Sequence, residues 1–131
     1  MIRGSCLCKR VRFEIHGKFG RSSHCHCSMC RKAHGAAFGS YAAANASEFR
    51  ATSGAELIAR YVSSPDVART FCSRCGSTLQ FLRLSKPETM YVALGVLDDA
   101  PGIRPPHHIF VGSKAPWVEI TAGLPQPDER P

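Results

Sequence analysis

The chain has 131 residues, enough for one domain with a modest core, and its 44% hydrophobic and 21% charged residues are ordinary for a globular protein. No apolar run approaches the ~18 residues of a membrane span, and residues 1–6 lack the charged-then-apolar order of a signal peptide, so a cytoplasmic protein is expected. The formal charge of +7 invites a nucleic-acid partner, but seven thiolates around two Zn²⁺ would bring it to about +4, and the basic residues are scattered rather than run together.

Residues 10–15 alternate, with Val11, Phe13 and Ile15 on one face and charges on the other, which predicts a strand. Extending that alternation backward places Cys6 and Cys8 on a common side. Residues 16–23, with glycine and serine, read as a turn leading to Cys25-His26-Cys27-Ser28-Met29-Cys30. Residues 31–34 can form a helical turn that Gly35 stops. Strands are expected over 38–44, 48–50 and 56–62, then a turn at 63–66 and a strand over 67–71. That strand delivers Cys72-Ser73-Arg74-Cys75-Gly76, the form of a zinc knuckle, in which the glycine supplies a permissive backbone. Strands are expected again over 78–82 and 90–94. The last ordered stretch, 107–117, carries His107, His108 and the single tryptophan, Trp117. A single domain over 1–123 is expected, with a loosely ordered tail over 124–131.

The cysteines fall into three clusters, 6/8, 25/27/30 and 72/75. Cys25 and Cys27 are too close for an unstrained disulfide, and an odd count leaves one sulfur over in any disulfide framework. Reduced thiols patterned this way are metal ligands in a cytoplasmic protein. The simplest partition gives one closed four-cysteine site, Cys6, Cys8, Cys72 and Cys75, and one three-cysteine site, Cys25, Cys27 and Cys30. Structural zinc is closed and four-coordinate, while catalytic zinc keeps a position open. Spacing alone leaves the second site either open or closed by His24, His26 or His34.

The chain resembles the glutathione-dependent formaldehyde-activating enzyme family, whose domain is shared with centromere protein V. The residues that carry the resemblance are Gly4-Ser5-Cys6-Leu7-Cys8 with Val11 and Phe13, the 25–31 loop, and Phe71 through Ser77. They continue with His108-Ile109-Phe110, Ser113 through Trp117, and Gly123 through Gln126. The resemblance implies a mostly β, Mss4-like fold of twisted antiparallel sheets stapled by zinc. It also implies a structural zinc on Cys6, Cys8, Cys72 and Cys75, and a catalytic zinc on Cys25, Cys27 and Cys30. The activity it implies is that of a carbon–sulfur lyase run backwards, condensing formaldehyde with glutathione.

An open zinc position among three thiolates suits a small thiol, which loses its proton on binding, and an aldehyde, whose oxygen the metal can polarise. His26, His34, His107 and His108 are candidates for moving the proton. Arg31, Lys32 and Lys114 are candidates for pairing with substrate carboxylates, and Trp117 for walling the pocket. Two other readings remain: a zinc-stabilised binding module, and a thiol redox or zinc-handling protein without turnover.

Overall fold

A computed structural model describes residues 1–121 and 123–129. Among these residues the chain is mostly β, with two sheets, one short α-helix and four single-turn 3₁₀ helices. The smaller sheet has the order β1-β2-β5, formed by Ile2–Ser5, Arg12–Ile15 and Phe49–Ser53. Phe13 and Ile15 are buried while Arg12 is exposed, as the alternation requires. The larger sheet has seven strands in the order β10-β3-β4-β9-β8-β7-β6. In chain order these are β3 (Ser22–Cys25), β4 (Gly39–Asn45), β6 (Ile58–Ser64), β7 (Val67–Cys72), β8 (Thr78–Arg83), β9 (Thr89–Ala93) and β10 (His108–Ile109). The helix α1, Ser28–His34, lies between β3 and β4 and ends at Gly35, whose N–H returns to the Arg31 carbonyl.

All ladders are antiparallel except β10 on β3, where His108 pairs with His24 and Ile109 with Cys25. A two-residue strand arriving from residues 94–107 can pair in parallel because the connection is long. The segment expected to be a loose tail runs beside it. His108 N–H donates to the Pro125 carbonyl at 2.9 Å, Val111 to Pro127 at 3.2 Å and Gly112 to Asp128 at 3.3 Å. Arg130 and Pro131, also part of that expectation, lie outside the described residues.

The structure divides the apolar interior in two. One core gathers Val11, Phe13, Ile15, Ala44, Leu79, Met90 and Val92 around Cys6 and Cys72. The other holds Tyr41, Ala93 and Ile109 around Cys25 and Cys30. Each core therefore has a pair of buried thiols built into it.

Candidate active site

The first sulfur cluster sits where two turns meet. Cys6 and Cys8 do not continue a strand, as the alternation predicts. They occupy the turn between β1 and β2, closed by Cys6 N–H to the Val11 carbonyl and Lys9 N–H to the Cys6 carbonyl, both 3.0 Å. Lys9 takes a positive φ of 63° there. The reason is ligand geometry: a turn brings i and i+2 sulfurs together, whereas a strand separates their backbones by two full rises. Opposite, β7 ends at Cys72, and Gly76 N–H donates to the Cys72 carbonyl at 2.8 Å. Gly76 has φ 81°, the left-handed conformation expected for the knuckle. Leu7 N–H donates to Ser77 Oγ at 2.8 Å, locking one turn onto the other. The four sulfurs lie within 4.8 Å of one another, with Cys6 and Cys8 at 3.5 Å and Cys8 and Cys72 at 3.9 Å. Tetrahedral ligation at ~2.3 Å sets sulfurs about 3.8 Å apart, so this donor set fits zinc.

The second cluster is built by a strand running into a helix. Cys25 ends β3. Cys27 caps α1, its sulfur accepting from Cys30 N–H at 3.3 Å. Cys30 follows in the first turn and points inward with Cys25. These three sulfurs also lie within 4.8 Å of one another. Cys27 is held well below the usual thiol range by hydrogen bonds from Cys25 and Cys30, then by the Cys30 amide and Arg69. Cys25 is pushed up, first by its hydrogen bonds to Cys27 and Cys30 and then by burial. Cys30 is raised as well, so Cys25 and Cys30 hold their protons more tightly than Cys27. A divalent cation is what would discharge them, since thiolates are the binding form.

A cavity of about 290 Å³ opens over this cluster, with Cys25, Cys27 and Cys30 in its lining. Phe81 and Tyr91 form one wall, stacked at 4.3 Å and 5°, and Tyr41 meets Phe81 edge-on at 4.7 Å. Two lining residues are functional candidates that sequence reasoning does not single out. Arg69, on β7, places Nη1 and Nη2 each 3.9 Å from Cys30 Sγ, and its Nε donates to Ser63 Oγ at 3.1 Å. The guanidinium also lies 5.7 Å from the centre of the Phe81 ring. The Tyr41 hydroxyl receives Arg69 Nη1 at 3.5 Å and shares a 2.7 Å hydrogen bond with His34 Nε2. Burial, then the charge on Cys30, raises the Tyr41 phenol and keeps it protonated. Burial, then Arg69, lowers His34 and keeps it neutral. Gly39 clears the space for that pair: a Cβ there would stand 2.6 Å from the His34 ring and 2.9 Å from Tyr41 Cε2.

None of Arg31, Lys32, His108, Lys114 and Trp117 lines the cavity. Arg31 and Lys32 follow Cys30 on a helix, where each residue turns the side chain by about 100°. Lys32 is exposed, and Arg31 Nε is buried without a partner. Lys114 spends its ammonium on the carbonyls of Ala115 and Val118. Trp117 is 71% exposed, neither core nor pocket wall. His108 is buried beside His26, Nδ1 to Nε2 at 2.7 Å, and the pair packs with His24 against Phe38. His26 is fully buried, and burial, then repulsion from His108, lowers it to about 4. His107 Nε2 is buried without a partner. Of the four histidines expected to move a proton, only His34 reaches the cavity, and it does so through Tyr41.

Residues 1–113 match the family model described as glutathione-dependent formaldehyde-activating enzyme. A Halomonas elongata protein named "Putative glutathione-dependent formaldehyde-activating enzyme" is 34% identical over 131 residues, covering 92% of this chain and 81% of that protein. A Schizosaccharomyces pombe protein named "Uncharacterized lyase" is 32% identical over 78 residues, covering 60% of this chain and 55% of its own length. The crystal structure of a Rhodobacter sphaeroides protein superposes with a TM-score of 0.61 at 29% identity, covering 79% of this chain and 91% of that one. With a family model matching most of the chain and a relative 34% identical over most of its length, the chain belongs to the glutathione-dependent formaldehyde-activating enzyme family.

Proposed function

We propose that this protein is a zinc-dependent enzyme of the carbon–sulfur lyase type, joining a small thiol, glutathione first, to an aldehyde such as formaldehyde. The reaction is assigned to Cys25, Cys27 and Cys30, and a structural zinc to Cys6, Cys8, Cys72 and Cys75. The observation that carries this reading is the contrast between the clusters. Four sulfurs sit at a junction of two interlocked turns, while three line a cavity.

Zinc bound by the three thiolates would lower the pKa of a substrate thiol and polarise a carbonyl oxygen. The chain's own residues supply the remainder. Arg69 offsets negative charge beside Cys30, where a second anion would otherwise be repelled. As the substrate sulfur bonds to the carbonyl carbon, the oxygen becomes an alkoxide that needs a proton. The Tyr41 hydroxyl, kept protonated on the cavity wall, can give it, and neutral His34 behind it can relay the proton released by the substrate thiol back to the phenolate, taking it up at one ring nitrogen as it gives one from the other. Aromatic walls keep bulk water from that exchange.

The test is exchange spectroscopy on ¹³C-formaldehyde and glutathione, which also combine spontaneously. Zinc-loaded protein should speed the exchange well above the buffer rate, and Cys27→Ser should abolish the increment. Exchange at the buffer rate with two zinc ions bound overturns the reading.

A further inference from the structure

The cavity is much larger and more apolar than formaldehyde requires. A molecule with two heavy atoms needs little more room than a water, whose share of liquid volume is about 30 Å³, against a cavity of about 290 Å³. Met29, Val67, Phe81, Tyr91, Ile109 and Phe110 line it together with the three sulfurs; Arg21, Arg69 and three serines also border it, and no acidic residue among the described ones does. A glutathione arm does not suit such walls. Its ammonium would lose water there with no acid to receive it, and its two amides would face aromatic and aliphatic walls. The polar ends of such a thiol belong outside, which leaves the apolar interior beside the sulfurs to the other reactant. The wall is also prebuilt: Tyr41, Phe81 and Tyr91 hold one another by edge and face, and Arg69 covers the Phe81 ring. Such a surface takes an apolar group at little ordering cost.

We infer that the carbonyl substrate of this enzyme carries an apolar arm, aliphatic or aromatic, that fills this cavity, so that formaldehyde is its smallest and not its preferred partner. The inference rests on the carbon–sulfur reading given above. The step balances without an oxidant or reductant: a thiol and an aldehyde give a hemithioacetal. One S–C bond forms, the C=O π bond opens, and the thiol proton ends on the former carbonyl oxygen.

Two measurements on the zinc-loaded wild-type protein test it. The first compares kcat/KM for acetaldehyde, butanal and hexanal with glutathione, a series whose carbonyls are intrinsically alike. Each methylene buried should raise kcat/KM about fourfold, from ~0.8 kcal/mol per methylene. The second measures Kd by ligand-detected NMR for acetamide, butanamide and hexanamide, which copy the carbonyl but do not react. Affinity should rise at least tenfold from the first to the last. A flat or falling trend in the amides overturns the inference whatever the kinetics. So does an enzyme that uses acetaldehyde and hexanal equally, or one whose rate responds to the apolarity of the thiol instead. If the amides bind with the expected trend and no aldehyde, formaldehyde included, reacts faster than in buffer, the apolar cavity assignment stands and the carbon–sulfur chemistry falls.

Discussion

Tyr41 and Arg69 are the side chains on which the proposed chemistry turns. Replacing Tyr41 with phenylalanine removes one oxygen and leaves the edge contact with Phe81 in place. A fall in kcat of about 100-fold is expected, with KM and zinc content unchanged. Steady-state kinetics beside metal analysis check this, and a change in KM alone would make the hydroxyl a binding group. Arg69→Gln should instead raise KM for the thiol by about fivefold, on the order of 1 kcal/mol for a half-buried cation, with a smaller effect on kcat. The seven cysteines are legible in the sequence because each cluster is local, its neighbours two or three positions apart. Arg69 is not. Alternation along β7 buries Ala68, Thr70 and Cys72 and turns Arg69 to the other face, but nothing within that strand says which distant segment the other face meets. The same holds for Tyr41 on β4, whose partners His34 and Phe81 come from α1 and β8.

At the level of elements, the two sulfur clusters sit in different surroundings, one at a junction of two turns and one at a strand–helix boundary beside the cavity. Cys72 and Cys75 hold the end of β7 against the β1–β2 turn, with Cys8 and Cys72 separated by 64 positions in the chain. Cys72→Ser or Cys75→Ser should therefore be a folding defect, since a structural zinc site contributes on the order of 10 kcal/mol of apparent binding energy. Cys27→Ser changes only the cap of a seven-residue helix. It should leave the far-ultraviolet circular dichroism intact and lower zinc from two ions per chain to one or fewer. Equal loss of structure in both variants would contradict the division of roles. Alternating strands such as β2 and β7 are readable from hydrophobic periodicity, even though β2 has only four residues. By contrast, β1, β3 and β10 carry no such alternation. Ser22-Ser23-His24-Cys25 has no apolar rhythm, and it becomes a strand because β4 and β10 pair with its two edges.

Over the whole molecule, two cores with separate sulfur clusters predict two separable losses on chelation. Graded chelator should remove the cavity zinc first, with the fold retained, and the second zinc together with unfolding. Release of both in one cooperative step would show that the clusters do not act independently. Acid should loosen the small sheet by a different route. Asp99 receives Arg3 Nε at 3.0 Å and the Arg3 backbone N–H at 2.8 Å. Those hydrogen bonds lower its carboxyl to about 2 from the usual 3.8. The folded-state pKa is depressed, so this contribution is complete above about pH 4 and is lost as pH falls towards 2. Asp99→Asn should flatten that part of the acid-unfolding curve, leaving the variant less stable than wild type at neutral pH.

The parallel pairing of β10 with β3 has a consequence for the order of events during synthesis. Every cysteine of both clusters has been made once residue 75 is joined, yet Ile109 and Phe110, which line the cavity over Cys25, are added more than thirty residues later. At ~5–20 residues per second, a growing chain spends seconds with both sulfur clusters complete and the cavity unroofed. A nascent chain stalled before β10 should accordingly take up zinc while leaving the Cys25–Cys30 thiols open to alkylation. The finished chain should protect them.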